Sequence, residues 1–550
     1  MTDQAEDHSR LARLRLSGRG VTVLRTTVRE FPDETILIIE VPDSDVDAAV
    51  NAAPQIEDEL PENTMIVVRG SSSGLPDEKS SIRNINDSNV SRLIEILNER
   101  SRTSEQQPSL QYIKDAAENL RVAKSKRHHV VFGRRGVGKT ALLLEAKRQV
   151  EEQSSTTLWI NMQTLRGLSA VAAFLTIVRR ICEIPLIIHR NRTTATAAVT
   201  AAQKLGIWTQ QLSTSVSASE AEVAPLVPDT QRLINLICAE RGTDFYIFID
   251  DLHYVAMKDQ PLFLDLMHGI TRDTSAWLKI AGIRNQCRVF EHEPPKGMQI
   301  GHDLAVIPLD ITLEEPKKAR AFLSDVLTTY LTAAGIANRT GVLSRGALDR
   351  LVLASAGVPR DFLLLCARAI QMARLRGNAR TVGTQDVNEA AGEAGKQKLA
   401  ELEEDAASSA TKSRSRLEAI AHVRSFTIEQ HRCSFFRVDF RDKSANPDEY
   451  TLLQSLMDLR MIHLVKSSLS AAHAVGERSE VYMIDLSEYS SSRLMKNINV
   501  IELQGDFLVL HKTGEQGATV TGDTPRKLVQ IFRTGPELPL RGLTPFLAQA

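Results

Sequence analysis

Short runs of apolar residues, each followed by a loop or by a helix-like segment, recur through the middle of the chain. They have the length of strands and lack polar alternation, which is typical of strands buried on both faces of a parallel sheet. The pattern therefore predicts an α/β fold in which helices cover a parallel sheet. The predicted strands are His129–Phe132, Thr157–Asn161, Phe245–Ile249, Leu278–Gly282 and Leu304–Pro308.

Helical spacing replaces the strand pattern from Glu314 onwards. We therefore predict a core domain over residues 81–312 and a helical lid subdomain over residues 313–405. Residues 188–228, rich in Thr, Ala and Ser, are predicted to form an insertion in the core, helical around Ala195–Leu205. The predicted lid helices are Glu315–Ala334, Arg345–Ser355, Pro359–Arg376 and Thr384–Asp405.

Helix and strand patterns alternate again over residues 412–490. Their order is typical of a winged-helix domain, with two final strands separated by a predicted loop, Ser467–Glu480. The extension at 491–550 contains two strand-like pieces and then becomes rich in Gly, Thr and Pro, so we expect its end to be loosely ordered. The predicted winged-helix elements are Leu417–Ser425, Ser434–Phe440, Asp448–Arg460, Ile462–Lys466 and Val481–Asp485.

The first 80 residues are predicted to form a separate small α/β module. Val21–Thr27, Thr35–Val41 and Met65–Arg69 are predicted strands, and Ser44–Glu59 is a predicted helix that Pro54 weakens. No chemistry-bearing motif is present in this module. We therefore expect a docking or accessory domain that binds a protein partner.

The composition of the 550-residue chain narrows the class of protein. Apolar residues make up 42% and charged residues 25%, which excludes a mainly disordered or fibrous chain. The formal net charge of −1 excludes a generally basic nucleic-acid coat, so DNA binding needs a local patch. The N-terminus is polar, the five cysteines are widely separated, and no apolar run is long enough to span a membrane. We expect a cytoplasmic protein without a membrane partner.

The segment Gly133–Thr140, with the sequence GRRGVGKT, follows a predicted strand and precedes a predicted helix. Glycines let backbone N–H groups turn toward phosphate oxygens, and a helix N-terminus adds a positive dipole end. In such a loop Lys139 would reach the β- and γ-phosphates, and Thr140 would bind Mg²⁺. The candidate nucleotide-binding residues are Gly133, Arg134, Arg135, Gly136, Val137, Gly138, Lys139, Thr140 and Ala141.

Two carboxylates follow the buried strand that ends about a hundred residues downstream. Asp250 is the candidate Mg²⁺ ligand, and Asp251 is the candidate that orients or deprotonates the attacking water. An acidic turn without chemistry is the alternative. The side chain of Asp251 is one carbon shorter than that of a glutamate, which would move the carboxylate back and favours slow hydrolysis.

Two cations stand where they could sense the γ-phosphate. Arg284, with Asn285 beside it, follows the next predicted strand, and Arg360 follows Pro359 at the start of a lid helix. Either arginine could contact the nucleotide. The alternatives are a surface arginine at a strand exit and a helix-start arginine paired with an acid.

The order of these motifs resembles AAA+ ATPases, closest to the origin-recognition-type branch and the neighbouring STAND signalling ATPases. The resemblance covers about residues 105–490 and rests on GRRGVGKT, FIDD, KIAGIRN and AGVPR in that order. It implies a Walker A role for Gly133–Thr140 and a Walker B role for Asp250 and Asp251. It also implies ATP and Mg²⁺ as ligands, sensor roles for Arg284 (or Asn285) and Arg360, and a homo-oligomer in which Arg288 could be an arginine finger, although an ordinary surface arginine is favoured there.

Two functions remain open from the sequence. In the first, nucleotide state controls assembly on DNA or with a DNA-processing partner. In the second, ATP binding switches a partner effector protein, with slow turnover. The predicted recognition helix begins with Asp448 and Glu449, which disfavours base reading, whereas scattered Arg and Lys residues allow non-specific contact with DNA phosphates. A transcription regulator with a degenerate nucleotide site is disfavoured because every phosphate-binding residue is present.

Overall fold

The computed structural model separates the chain into two compact units, residues 1–81 and 82–550. Each unit is described by itself below. The structure describes residues 3–30, 35–61, 64–70, 84–99, 113, 118–189, 196–214, 218–377, 379–407, 411–471, 476–491, 493–513, 520–521 and 524–547.

The first unit is a three-stranded sheet with two helices. Strand β2 is central, antiparallel to β1 and parallel to β3. Leu37 and Ile39 of β2 pack with Leu16 and Ile56 of the helices to form its core. β2 has the predicted bounds, whereas β1 begins four residues later than predicted. The elements are α1 (Asp3–Ser17), β1 (Arg25–Glu30), β2 (Thr35–Val41), α2 (Val46–Glu57) and β3 (Thr64–Gly70).

The second unit begins with a five-stranded parallel sheet, as the apolar runs predicted. Its elements in chain order are α3 (Ser88–Glu99), α4 (Asn119–Lys124), β4 (His129–Phe132), α5 (Lys139–Glu152), β5 (Thr156–Asn161), α6 (Ala170–Ile188), α7 (Ala197–Thr214), α8 (Glu220–Val223), α9 (Leu226–Arg241), β6 (Phe245–Asp250), α10 (Gln260–Thr271), β7 (Ala276–Gly282), β8 (Phe290–His292), β9 (Pro295–Gly297) and β10 (Ala305–Pro308). The strand order is β10-β4-β7-β6-β5, and every neighbouring pair is parallel.

This sheet brings the predicted site residues together at one end of its strands. β4 and β6 are buried along their whole length, which explains their unbroken apolar runs. Because all five strands are parallel, the residues that follow β4, β6 and β7 lie at the same end of the sheet. In the described part of the predicted insertion, α7 packs on α6 through buried residues such as Ala198 and Leu205.

The helical subdomain contains α11 (Pro316–Ala333), α12 (Arg345–Ala354), α13 (Pro359–Leu375) and α14 (Thr384–Ala407). All four helices match the predicted ones to within two residues at each end. Helix α3, which the sequence analysis grouped with the core domain, packs into the same apolar cluster as these helices through Val90 and Leu93. Arg374 also donates hydrogen bonds to Ile85 O and Ser91 Oγ, each at 3.0 Å.

A helix–strand–helix region follows. It consists of α15 (Thr411–Arg424), β11 (Phe435–Asp439), α16 (Phe440–Ala445), α17 (Pro447–Asp458), β12 (Ile462–Ser470) and β13 (Arg478–Ile484). The three strands form an antiparallel sheet in the order β11-β13-β12. The predicted loop Ser467–Glu480 is wrong at both ends, because β12 extends to Ser470 and β13 begins at Arg478.

The end of the chain contains β14 (Asn499–Gln504), β15 (Phe507–Lys512), β16 (Val520–Thr521) and α18 (Pro525–Arg533), followed by a 3₁₀ segment, Leu540–Phe546. The expectation of a loosely ordered tail is wrong for this part. Phe532 and Leu540 are fully buried, and Pro536 O accepts a 2.7 Å hydrogen bond from Arg437 N. The spacing of Leu528, Ile531 and Phe532 places apolar side chains on one face of a short helix.

Among the described residues, no helix is long and apolar enough to cross a membrane. The same part of the chain has no cluster of three His, Cys, Asp or Glu side chains that could hold a metal ion.

Candidate nucleotide-binding site

The loop between β4 and α5 has the backbone of a phosphate cradle. Gly136 and Gly138 adopt φ values of +83° and +101°, which residues with a Cβ rarely take. A Cβ on Gly138 would meet no atom within 4 Å, so the inner side of the loop is open. Helix α5 begins at Lys139, and its unsatisfied N–H groups therefore point into this open space.

The ammonium of Lys139 lies inside the loop. It donates hydrogen bonds of 2.8 Å to Gly133 O and 2.9 Å to Arg134 O, and the residue is 6% exposed. Burial lowers the pKa of Lys139, and the nearby carboxylates of Asp251 and Asp250 oppose that shift. An ammonium has three donors, so a phosphate oxygen could take the third.

Thr140 and Asp250 form the candidate metal site. Thr140 Oγ1 donates a 2.8 Å hydrogen bond to Asp250 Oδ2, which joins the first turn of α5 to the end of β6. Asp250 is 2% exposed, and its Oδ1 atom has no hydrogen-bond partner. Burial, followed by the neighbouring Asp251, raises the pKa of Asp250 to about 7. A buried carboxylate oxygen that lacks a partner, beside a hydroxyl, fits the oxygen ligands that Mg²⁺ prefers.

Asp251 stands at a strained position beside this pair. Its φ is +59°, in the left-handed region, so the chain turns sharply where β6 ends. Burial raises the pKa of Asp251, while Lys139 and then Arg135 oppose the rise. The Nδ1 atom of His253 lies 3.8 Å from Asp251 Oδ1.

His253 is a residue that the sequence analysis missed. Burial lowers the pKa of His253 to about 4, with Arg135 and Lys139 adding to the shift, so the imidazole is neutral at physiological pH. The short spacing Asp250-Asp251-Leu252-His253 was the available signal. A lone histidine after a strand carries little information without the turn that brings it back toward Asp251.

The residues after β7 lie at the same edge of the sheet. Arg284 is exposed, and its guanidinium lies 5.5 Å from the centre of the Phe132 ring, where β4 enters the loop. Asn285 Nδ2 instead donates a 3.0 Å hydrogen bond to Asp458 Oδ2 at the end of α17. Arg288 is exposed and pairs with Glu291 at 3.0 Å, three residues along the chain.

Arg360 lies next to the loop. Its backbone N–H donates a 3.3 Å hydrogen bond to Gly136 O. A Cβ on Gly136 would approach Arg360 Cβ to 2.9 Å. The start of α13 therefore packs directly against the loop, and the contact of the Arg360 side chain with a nucleotide stays a prediction.

The remaining residues of the loop differ in where their side chains go. The guanidinium of Arg134 points away from the cradle toward Asp310, so only its backbone faces the loop interior. Arg135 is exposed, and Val137 is buried beneath Gly133, where a Cβ would come within 2.7 Å of its Cγ2 atom. Ala141 follows in the first turn of α5 and is partly buried.

Residues 107–278 match the family of AAA ATPase domains. No protein with curated annotation matches the chain. Among solved structures, the ORC1 protein of Aeropyrum pernix in complex with DNA is 15% identical, over 75% of this chain and 92% of that chain, with a TM-score of 0.32.

Two further solved structures show comparable similarity. The Walker-type ATPase of Pyrococcus abyssi is 13% identical over 69% of this chain and 97% of that chain, with a TM-score of 0.36. PCH-2 of C. elegans is 12% identical over 62% of this chain and 79% of that chain, with a TM-score of 0.25.

The matched segment includes the loop Gly133–Thr140, the strand that ends at Asp250 and most of the parallel sheet. The fold is that of a P-loop NTPase core with additional helices and antiparallel sheets. Residues 107–278 are therefore similar to AAA ATPase domains.

Proposed function

We propose that the protein binds ATP with Mg²⁺ and hydrolyses it. The observation that carries the proposal is the contact between Thr140 Oγ1 and Asp250 Oδ2, with the buried second oxygen of Asp250 left without a partner. Burying an unpaired carboxylate oxygen is unfavourable unless a ligand uses it. The glycine-rich loop beside this pair supplies the phosphate site.

The roles of the residues follow from their positions. Backbone N–H groups of the loop and the ammonium of Lys139 would hold the β- and γ-phosphates. Thr140 and Asp250 would hold Mg²⁺, which when bound neutralises charge on the phosphate oxygens. Asp251 would accept a proton from the attacking water, and its raised pKa improves its match to that task. Arg284 and Arg360 would stabilise charge on the γ-phosphate.

The test is ATP hydrolysis by the purified full chain and by Lys139→Ala. Loss of the ammonium removes a charge that acts in a site with little water, so we expect hydrolysis to fall by about 100-fold or more. Arg121→Ala is the matched control, because Arg121 is exposed and pairs with Glu118 three residues away. An intact protein that neither binds nor hydrolyses ATP with Mg²⁺ present would refute the proposal.

We further propose that the nucleotide controls the position of the helix–strand–helix region at 411–484, which has the element order of a winged helix. Asn285 and Gln286, which follow the β7 strand end, both donate to Asp458 Oδ2, at 3.0 and 2.7 Å. Lys466 of β12 also forms a 2.5 Å salt bridge with Glu314, a residue that lies between the core and the lid in the chain. These contacts support a nucleotide-dependent switch that presents or withholds a protein-binding surface. In this proposal the module at residues 1–80 binds the protein partner, because it carries no motif for chemistry of its own.

A switch and a DNA-dependent ATPase differ in what alters turnover. Assembly on DNA has less support from the contacts, because exposed Arg414 and Arg441 pair with Glu418 and Glu477. Glu449, at the start of α17, accepts a hydrogen bond from Thr544 of the C-terminal segment. We expect duplex DNA to leave the ATPase rate unchanged. A salt-sensitive stimulation, together with larger assemblies in ATP than in ADP by light scattering, would favour assembly on DNA instead.

A further inference from the structure

The side chain of Arg134 joins the phosphate loop to the start of the lid. The residue is 9% exposed, and Nη2 donates hydrogen bonds to Ile311 O at 3.0 Å and to Ala356 O at 3.2 Å. Its Nε donates to Asp310 Oδ1 at 3.0 Å. One guanidinium therefore contacts the linker after β10, at Asp310 and Ile311, and the turn before α13, at Ala356.

Asp310 fixes the backbone of the loop as well as its side chain. The same Oδ1 atom accepts a 3.0 Å hydrogen bond from the backbone N–H of Arg134. Asp310 comes two residues after β10 ends, where the chain leaves the core sheet for the lid. The second residue of the phosphate loop and the core–lid connection thus share one carboxylate oxygen.

The turn that Arg134 reaches has little room to change shape by itself. Ala356 and Gly357 have φ values of +47° and +82°, and a Cβ on Gly357 would come within 2.3 Å of Ile311 O. Three residues later, Arg360 contacts Gly136 through its backbone. The loop therefore touches the lid at two separate points, one through the side chain of Arg134 and one through Gly136.

Lys139, the candidate phosphate-binding lysine, is also bonded to Arg134, the residue that joins the loop to the lid. The carbonyl oxygen of Arg134 accepts a 2.9 Å hydrogen bond from Lys139 Nζ, and a bound phosphate would compete for that ammonium. A change in this bond acts on the residue whose side chain binds the lid. Charge-assisted hydrogen bonds in a buried setting are strong, and a planar guanidinium can serve three acceptors that a lysine cannot.

We propose that Arg134 is a positioning residue that transmits the nucleotide state of the phosphate loop to the lid, through Asp310, Ile311 O and Ala356 O. This proposal rests on the proposed ATP binding. It adds a specific role to a residue that the motif alone assigns to backbone contact with phosphate. Arg134 does not touch the nucleotide through its side chain.

The experiment uses the full chain and the variants Arg134→Gln, Arg134→Lys and Asp310→Asn, with Arg121→Ala as the exposed control. MgATP affinity is measured by titration calorimetry, turnover by phosphate release, and lid response by hydrogen exchange of residues 359–375 with and without MgATP. We expect the variants to bind MgATP within about threefold of the unsubstituted chain but to turn over about tenfold more slowly. The nucleotide-dependent slowing of exchange at the start of α13 should disappear in Arg134→Gln and persist in part in Arg134→Lys.

The outcomes separate the two proposals. If the unsubstituted chain binds no MgATP, both proposals fail. If it binds MgATP and Arg134→Gln retains the lid response and the turnover, ATP binding stands and the role of Arg134 is refuted. If the variants lose affinity but show a normal lid response at saturating MgATP, Arg134 serves binding alone and the role is also refuted. Should Arg134→Gln fail to fold, Arg134→Lys and Asp310→Asn, judged on the same measurements, decide the result.

Discussion

The backbone N–H of Arg360 donates a 3.3 Å hydrogen bond to the carbonyl oxygen of Gly136, so the first turn of a lid helix is bonded to the phosphate loop. The two residues are 224 positions apart in the chain. A ligand that changes the conformation of the loop therefore acts on the lid without an intermediate element. Five predictions test the site around this contact.

Substitution of Gly136 should damage nucleotide binding by a steric route. In Gly136→Ala the new Cβ would lie 2.9 Å from Arg360 Cβ and 3.1 Å from Val358 Cγ1, at a φ of +83°. We expect a loss of about 1–3 kcal/mol in the free energy of unfolding and a weaker affinity for ATP. Gly167→Ala is the matched control, because Gly167 has a φ of +86° and open space around it. If both variants behave alike in thermal melts and ATP titration, the contact with Arg360 is unimportant.

The two carboxylates after β6 should separate binding from hydrolysis. Asp250→Asn removes the charge that would bind Mg²⁺, so we expect the Mg²⁺ dependence of ATP affinity to disappear. Asp251→Asn puts an amide of similar shape in place of the carboxylate, and an amide cannot accept the proton. We therefore expect near-normal ATP affinity with hydrolysis lowered by about 100-fold. Calorimetry with and without Mg²⁺, combined with single-turnover hydrolysis, measures both. Equal effects of the two substitutions on Mg²⁺ dependence would argue against these separate roles.

Acid should weaken the binding of MgATP because of Asp250. Burial raises the pKa of this carboxyl to about 7, and Mg²⁺ needs the deprotonated form. We therefore expect Mg²⁺-dependent affinity to fall as the pH drops from about 8 to about 6, with release of a proton on binding near neutral pH. Asp250→Asn should abolish this dependence. An affinity that stays constant across that range in the unsubstituted chain would contradict the assignment.

Asp250 should also make the free energy of unfolding of the ligand-free protein depend on pH. The direction is opposite to that expected for MgATP affinity. The folded chain retains the proton on Asp250 up to about pH 7, whereas the ordinary pKa is 3.8. The unfolded chain thus binds fewer protons between these values. The stabilisation from this group is complete below the lower value and is lost as the pH rises through the upper one. Chemical unfolding of the unsubstituted chain and of Asp250→Asn at several pH values measures the difference.

Removal of the hydrogen bonds to Asp458 should speed the dissociation of nucleotide. Its carboxylate accepts hydrogen bonds from Asn285 and Gln286, and Asp458→Ala would remove both while leaving α17 in place. We expect ADP to dissociate about 3- to 10-fold faster, since coupling energies between sites are typically modest. Asp448→Ala, at the exposed start of the same helix, is the control. Stopped-flow release of a fluorescent ADP measures the rate, and equal rates in Asp458→Ala and the control would count against a switch.

The parts of the molecule that could be predicted from sequence are those encoded locally. The strands were recognisable because β4 and β6 are apolar throughout, and Gly133–Thr140 forms its turn from neighbouring residues. Contacts between distant segments were not predictable in this way. Nothing in the sequence near Arg134 indicates that its side chain reaches Ala356, and nothing near Asn285 indicates Asp458.

The incorrect predictions also arose from contacts between distant segments. The tail was expected to be loosely ordered because its composition is rich in turn-forming residues, whereas its order depends on a few apolar side chains, such as Phe532 and Leu540, that are buried in the described structure. Strand β12 was predicted too short because it ends in exposed polar residues, Ser467, Ser468 and Ser470. Average composition and polarity did not reveal either the packing or the pairing.

The C-terminal segment also limits where the chain can be shortened or fused. Gly535 lies so close to the ring of Phe435 that a Cβ there would approach it to 2.9 Å, and Leu538 N donates a 2.8 Å hydrogen bond to Arg437 O. A truncation at residue 490 would leave one edge of the β11 sheet and the Phe435 ring uncovered, and an uncovered strand edge promotes aggregation. Recombinant fragments and reporter fusions should therefore retain the residues through 547, with any tag joined through a flexible spacer.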